Sequence, residues 1–377
     1  MDALMLPLNW QKVRLGDIGK PCMCKRVMKH QTTRYGEIPF YKIGTFGNTA
    51  DAFISKELFL EYKTKYSFPK KGDILISASG TIGRAVIYDG KPAYFQDSNI
   101  VWIDNDETLV KNDFLFYAYS NVKWNTEHTT ILRLYNDNFR NTLIPLPPLN
   151  EQSAIANILS ALDRYLCALR ALILKKEGVK KALSFELLSQ RKRLKGFNQA
   201  WQRVRLGDIC EIVKGQQINK ISLNNTDKYP VINGGIDFLG YTNKFNVSKN
   251  TIAISEGGTC GYVRFMTSNF WSGGHNYSLQ KISNKVNNLC LYHILKSYEK
   301  GIMKLGVGSG LKNIQLKALK DFEILLPPLN EQSAIANILS DLDNEIASLK
   351  NKKRQFENIK KALNHDLMSA KIRVLEK

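Results

Sequence analysis

The 377-residue chain carries 54 Lys and Arg against 34 Asp and Glu, a formal charge of +20, with 44% hydrophobic and 23% charged residues. That composition excludes long disorder, and no apolar run reaches the roughly 20 residues a membrane helix needs, so membrane-spanning and secreted readings are set aside. At about 150 residues per domain the length predicts two domains, and the excess positive charge predicts a polyanionic partner. Nucleic acid fits best; a ribosomal surface or an acidic protein would fit the charge too.

The first residues, Met1 to Pro7, show no basic stretch followed by an apolar run, so no signal peptide is expected. Next comes a short block, Trp10-Gln-Lys-Val-Arg-Leu-Gly-Asp-Ile18, and then a long segment of mixed character from Gly19 to Pro145. Cys22 and Cys24 have a spacing unlike zinc knuckles. With Cys167, Cys210, Cys260 and Cys290 they read as reduced thiols of a cytoplasmic protein, with no metal site. Basic and aromatic side chains are interleaved at Lys25, Arg26, Lys29, Arg34, Tyr35, Tyr41 and Lys42. Arg and Lys suit guanine edges and phosphates, although such residues also populate ordinary loops.

Asp73 to Ala78 and Asn99 to Ile103 read as strands, with a short helix near Asp113 to Tyr119. A glycine-rich loop, Ser77-Ala-Ser-Gly-Thr-Ile-Gly83, follows the first of these strands, and Ser79, Thr81 and Arg84 are its candidate contacts. Lacking a following Lys-Ser/Thr, it is no nucleotide P-loop, and a tight turn at positive φ explains it as well as phosphate contact does.

Pro147 and Pro148 then forbid helix upstream, and Asn150 is placed as the N-cap of a helix with Glu151 beside its positive end. Ile155, Ile158, Leu162, Tyr165, Leu169 and Leu172 follow alternating steps of three and four. Lys176 interrupts, and Val179 and Leu183 resume. That is a coiled-coil seam. A helix of about 40 residues would be about 60 Å long, enough to hold two domains more than one DNA turn apart. Lys175, Lys176, Lys180, Lys181, Arg191, Lys192 and Arg193 line its end and read as a solvated face.

The chain now repeats itself. Trp201-Gln-Arg-Val-Arg-Leu-Gly-Asp-Ile209 returns the opening block at an offset of 191, and Leu326 to Ser340 returns Leu146 to Ser160 unchanged at an offset of 180. A period this long marks duplication of a whole domain plus a helix. The second divergent segment, Cys210 to Leu325, has predicted strands at Thr251 to Ser255 and Tyr277 to Ile282 and a helix at Leu289 to Tyr298. Its candidate contacts are Lys214, Gln216, Gln217, Asn219, Lys220, Asn233 and Tyr241, with Thr259 and Arg264 around the loop Ser255-Glu-Gly-Gly-Thr-Cys-Gly261. Asn and Gln can pair bidentately with adenine. Of five histidines, His275 is the best placed for a loop contact. In the second helix Asn330 is the expected cap, Glu331 follows it, and Ile335, Leu342, Leu349, Phe356 and Leu363 keep a step of seven. Ile338, Glu345, Lys352 and Ile359 are the expected partner positions.

No nucleophile constellation, nucleotide-cofactor turn, Walker motif or Asn/Asp-Pro-Pro-aromatic methyltransferase motif is found, so no catalytic residue is assigned. The duplicated Leu-Pro-Pro-Leu-Asn-Glu-Gln helix, the Trp-x-x-Val-Arg-Leu-Gly-Asp-Ile blocks and the Ser-Gly-Thr-x-Gly loop resemble the DNA specificity subunit of type I restriction-modification systems, over nearly the whole chain. The second loop departs, with Glu256-Gly257 for Ala78-Ser79 and Cys260 for Ile82.

The resemblance implies an α/β (α+β) fold. Two target recognition domains (1–146 and 196–326) alternate with conserved helices (147–195 and 327–377) packed as an antiparallel coiled coil with internal pseudo-twofold symmetry. Each domain would read half of a bipartite site in double-stranded DNA. The helices, with Asn150, Glu151, Ile155, Leu162, Leu169, Asn330, Glu331, Ile335, Leu342 and Leu349, would set the spacing and dock two methyltransferase subunits. S-adenosylmethionine would sit on those subunits and ATP-driven cleavage on restriction subunits, leaving this cytoplasmic chain without cofactor or catalysis. A degenerate methyltransferase or nuclease, a silent or orphan copy, and a coiled-coil scaffold for a protein partner remain alternatives.

Overall fold

The computed structural model describes residues 7, 9–128 and 132–374; Met1 to Leu6, on which the reading of a missing leader rests, lie outside them. The chain separates into two compact units, Met1–Leu169 with Lys352–Lys377, and Arg170–Asn351. Helix and strand are mixed in both.

In the first unit the strands Gly19–Met23, Ile100–Asn105, Ile74–Ser77 and Ala85–Ile87 form, in that order, an antiparallel sheet. Ile74–Ser77 is buried on both faces, which is why it reads as a continuous apolar run. A smaller sheet joins Phe53–Ile54, Ile38–Tyr41 and Tyr94–Phe95, the last pair parallel. The second unit repeats the plan with Glu211–Lys214, Asn276–Gln280, Thr251–Ser255 and Val263–Met266, and with Gly240–Thr242, Tyr229–Ile232 and Trp271–Ser272. The four expected strands and both expected short helices, now Asn112–Tyr119 and Asn288–Ser297, are present within a residue or two.

The opening blocks become strands that close each unit. Gln11–Arg14 pairs with Leu143–Leu146, and Gln202–Arg205 pairs with Glu323–Leu326, both antiparallel. The long helices Leu149–Leu188 and Leu329–Met368 follow directly, each of 40 residues. Each helix gives its first half to the unit that precedes it and its second half to the other. Within the first unit the two halves run antiparallel, with Tyr165 against Phe356 (ring centroids 4.8 Å apart) and Asp163 bonded to Lys360 at 2.6 Å. Within the second, Lys176 meets Glu345 at 2.8 Å and Lys180 meets Asp343.

Two expectations are corrected. Asn150 and Asn330 are not N-caps. The helices begin two residues earlier than such caps would set, at Leu149 and Leu329, and the first helical hydrogen bonds run from Gln152 N to Pro148 O and from Gln332 N to Pro328 O, both 2.9 Å. Pro148 and Pro328 supply the acceptors of those bonds, and a residue at that position needs no N–H of its own, since the first N–H groups of a helix have no intrahelical acceptor.

Alternate positions of the apolar stripe are also shifted, while Ile155, Leu162 and Leu169 hold their expected places. Ile158, Leu172 and Val179 are exposed, whereas Ile155, Leu159, Leu166, Leu169 and Ile173 are buried, and Leu162 is half-buried between them. The matching residues of the second helix are Ile335, Leu339, Leu342, Ile346 and Leu349, so Leu339 and Ile346 take the places expected of Ile338 and Glu345. Several stripes at three-four spacing coexist on these helices, and packing selects the one with unbroken apolar character.

Candidate DNA interface

The duplicated motif residues are structural. Glu151, 2% exposed, accepts from Trp10 Nε1 at 3.0 Å and from Arg373 Nε and Nη2 at 2.7 and 3.1 Å. Glu331 accepts in the same way from Trp201 Nε1 (3.0 Å) and from Arg193 Nε and Nη2 (both 2.7 Å). A buried carboxylate needs such company. The buried amides next in sequence complete the joint. Gln152 Oε1 accepts from Lys111 N and its Nε2 donates to Pro147 O, both at 2.8 Å; Gln332 repeats this with Asn287 N and Pro327 O at 2.7 Å. Thus Pro-Pro-Leu-Asn-Glu-Gln locks the helix start to the opening block, and Glu151 and Glu331 are shielded from any outside partner. Arg193, Lys176 and Lys180, read as part of a solvated run, are instead pinned by carboxylates.

The divergent segments present their polar loops at one end of each sheet. In the first unit the pairing of Met23 with Val101, Ile76 with Val101 and Ser77 with Ile100 brings Cys24–Arg26, Ala78–Gly83 and Gln96–Asn99 to that end. Arg26 Nε donates to Asp97 Oδ2 at 2.8 Å, and Ser98 Oγ lies 3.2 Å from the same oxygen. Ser79 is buried and its hydroxyl donates to Asn99 Oδ1 at 2.8 Å, so it supports the loop rather than facing outward. Arg133 Nη2 donates to Ser98 O at 2.6 Å, and Arg84 Nη1 donates to Phe46 O at 3.0 Å. Thr81, Lys29 and Arg34 are exposed. Tyr41 stacks on Phe95, Lys25 lies over the Tyr66 ring, and Lys42 pairs with Asp51 at 2.8 Å. The loop's last glycine is required by space and backbone alike: Gly83 has φ +81°, and a Cβ there would sit 2.1 Å from Trp124 Nε1. Its counterpart Gly261 has φ +84° and faces the Met303 backbone at 2.7 Å. Both loops are therefore built as tight turns.

In the second unit the same sheet end carries Lys214 to Gln217, Glu256 to Thr259 and Gly273 to His275. Glu256 is nearly buried. Its Oε1 lies 2.7 Å from Lys214 Nζ and 3.2 Å from the Tyr277 hydroxyl, and its Oε2 lies 3.9 Å from His275 Nδ1. Burial, then the charge of Glu256, pushes Tyr277 up to about 12, so the phenol stays a donor. Asn233 Oδ1 accepts from His275 N at 3.0 Å, and Thr259 N donates to Gly234 O at 2.8 Å. Lys214, Gln217, Asn233, Thr259 and His275 thus converge. The other candidates lie outside this cluster, several with local partners. Asn219 caps the turn Lys220–Ser222, Gln216 O accepts from Trp271 Nε1, and Tyr241 packs edge-on against Phe238. Arg264 lies between Phe238 and Tyr262 and donates to Ile236 O. Asp97 and Glu256 were missed, because a search for DNA contacts looks for cations; the departure of Glu256 from Ala78 was the available signal.

Two globular units of mixed sheet and helix, each latched to the start of a long helix and each exposing a different polar sheet end, define a protein built twice on one plan. The family described as type I restriction modification DNA specificity domain matches residues 7–176 and again 198–358, and the chain belongs to that family. A putative type I restriction enzyme specificity subunit of Haemophilus influenzae is 62% identical over 152 residues, which is 40% of each protein. A putative type I specificity subunit of Mycoplasma pneumoniae is 38% identical over 154 residues. The matches thus span about two fifths of those relatives' length. The type I restriction enzyme MjaVIII specificity subunit of Methanocaldococcus jannaschii is 26% identical across 99% of this chain and 95% of that one. The fold is shared with the crystal structure of the type I restriction-modification system S subunit from M. genitalium, at TM-score 0.71 and 20% identity, covering 97% of this chain and 98% of that one.

Proposed function

We propose that this chain is the non-catalytic sequence-recognition subunit of a type I restriction-modification complex. Its two recognition domains, 1–146 and 196–326, each read one half of a bipartite site in double-stranded DNA. The helical segments 147–195 and 327–377 set the distance between the half-sites and dock methyltransferase subunits, through which restriction subunits join the complex. The observation that carries this reading is the division of labour in the repeat. Unchanged motif residues are buried in latches, whereas the sheet ends that differ between units expose the polar groups. The charge of +20 supports a DNA partner. Burial pushes the Cys24, Cys210 and Cys290 thiols up to about 12, which suits packing rather than nucleophilic chemistry. No described helix is long and apolar enough to cross a membrane, and we place the complex in the cytoplasm.

Outward-facing apolar residues of the first long helix, Leu172, Leu174, Val179 and Phe185, are better docking candidates than the buried Ile155 and Ile335. Selection from a random duplex library, with the chain co-expressed with neighbouring methyltransferase genes, should return two short half-sites at one fixed gap. A single continuous motif, or binding without preference, would refute the reading. Exchanging Gly19 to Pro145 should alter one half-site only. Because each unit takes one segment from each helix, lengthening the gap calls for a heptad in both, at 169–170 and 351–352. Inserting one after Ser160 alone would break the Asp163–Lys360 register.

A further inference from the structure

Each unit seats an exposed cation on a nearly buried carboxylate at the loop-bearing end of its sheet. Arg26 is 66% exposed and its partner Asp97 15%; Lys214 is 56% exposed and Glu256 11%. Ordinary surface pairs here, such as Lys42–Asp51 and Arg203–Glu323, leave both partners open. The latch pairs Arg373–Glu151 and Arg193–Glu331 bury most of both. The two seated pairs did not arise by copying. Asp97 precedes the strand Ile100–Asn105, whereas Glu256 directly follows the strand Thr251–Ser255, at the place where the first unit has Ala78 after Ile74–Ser77.

We infer that Arg26 and Lys214 are the guanine-reading residues of the two recognition domains, each fixed and neutralised by its carboxylate; this rests on the DNA-recognition role proposed above. A cation meant for phosphate is weakened by a carboxylate within hydrogen-bond distance, because that carboxylate cancels its charge and repels the phosphate, the more so where water is excluded. A base edge carries no net charge and suffers no such repulsion. What a neutralised cation retains is its N–H donors. Arg26 spends Nε on Asp97 and keeps its terminal fork free of partners among the described residues; Lys214 spends one of three ammonium hydrogens on Glu256. In the major groove guanine presents two adjacent acceptors, O6 and N7, which a guanidinium fork or an ammonium group satisfies. Adenine offers one acceptor beside a donor, and the pyrimidines a single acceptor or donor. The carboxylates are positioning residues: they fix where the donors sit before DNA arrives.

The test uses the full chain co-expressed with its methyltransferase subunits. The wild type should select a G·C pair at one fixed position in each half-site. R26Q should flatten the preference at one of these positions, and K214Q at the other, by about five- to hundred-fold. The half-site read by the unaltered unit reports that the variant is folded, and K214R should restore the lost preference. Replacing the indicated guanine by 7-deazaguanine, which lacks the N7 acceptor, should weaken wild-type binding but not that of the matching variant. E256Q and D97N, which leave the cation unneutralised, should raise binding to unrelated DNA and steepen its salt dependence. Loss of affinity for all sequences alike, with a salt slope shallower by about 0.9 per variant, would make these residues phosphate contacts and overturn the inference. Unchanged preference, or half-sites without guanine, would overturn it too while leaving bipartite recognition standing. Failure of the wild type to select any bipartite site would refute the proposed function itself.

Discussion

The two units hold the same joint and differ at two places on the helices beside it. Glu151 and Glu331 make the same three hydrogen bonds to a tryptophan and an arginine, and Asp163–Lys360 is matched by Asp343–Lys180. Where the first unit has the ring pair Tyr165–Phe356, however, the second has the ion pair Glu345–Lys176. Where Tyr117 donates to Asp163 at 2.8 Å, the second unit has His293, buried and 3.4 Å from Ser340 Oγ. The groups whose loss would orphan a buried charge are thus unchanged, whereas the half-exposed ring pair and the buried but uncharged Tyr117 have each been exchanged for another chemistry. Tolerance follows the absence of a buried charge.

That contrast can be broken by experiment. Glu151→Ala and Glu331→Ala should each cost about 3–5 kcal/mol in chemical unfolding, because an arginine and a tryptophan N–H lose their buried partner. A large effect in one unit and none in the other would refute the equivalence of the latches.

Acid should separate the units next. Burial, reinforced by the charge of Lys180 and opposed by Asp343, pushes His293 down from its ordinary 6.5 to about 4. Between those values the unfolded chain binds the proton that the folded one refuses. This contribution is therefore complete above about pH 6.5 and is lost as pH falls toward 4, by up to about 3 kcal/mol. His293→Tyr, copying Tyr117, should remove that part of the acid sensitivity. An unchanged pH profile of unfolding would exclude His293 as its source.

Helix ends offer a smaller effect. Gln190 (φ +59°) and Ala370 (φ +56°) follow the two long helices in left-handed conformation. Glycine there should raise stability by about 1 kcal/mol in either unit, read as a higher Tm. The smallest change should come from Lys176→Phe with Glu345→Tyr. This exchanges a half-exposed ion pair for an aromatic pair, each worth about 1 kcal/mol or less, so stability should hold while its dependence on salt falls.

Much of this was legible in the chain. Local rules sufficed for Ile74–Ser77, an apolar run bounded by glycine turns, and for the long helices, whose start is set by Pro147-Pro148 and Pro327-Pro328. The duplication was plain in Trp10 to Ile18 and Leu146 to Ser160, and so were Lys214, Gln217, Asn233 and His275, which do converge. Alternate positions of the stripe were misplaced by one because Ile158 and Leu159 are equally apolar, and only packing into the core of the closed unit chooses between them. The carboxylates were missed because Asp97 and Glu256 lie 71 and 42 residues from the cations they seat. Ser79 and Arg264 looked like contacts from the sequence, which could not show that the Ser79 hydroxyl is held by Asn99 and Arg264 Nη2 by Ile236 O.

By itself, the sequence determined that this protein is a duplicated, basic, two-domain chain with helices after each domain, since repeats, proline stops, charge and periodicity act within a few residues of one another. Tertiary structure alone decided that the repeated Glu and Gln are latches, which helix face is buried, and which polar side chains remain free. Those outcomes depend on groups distant in the chain competing for the same buried partners, and hydrogen-bond satisfaction inside a protein is settled only when the whole unit has closed.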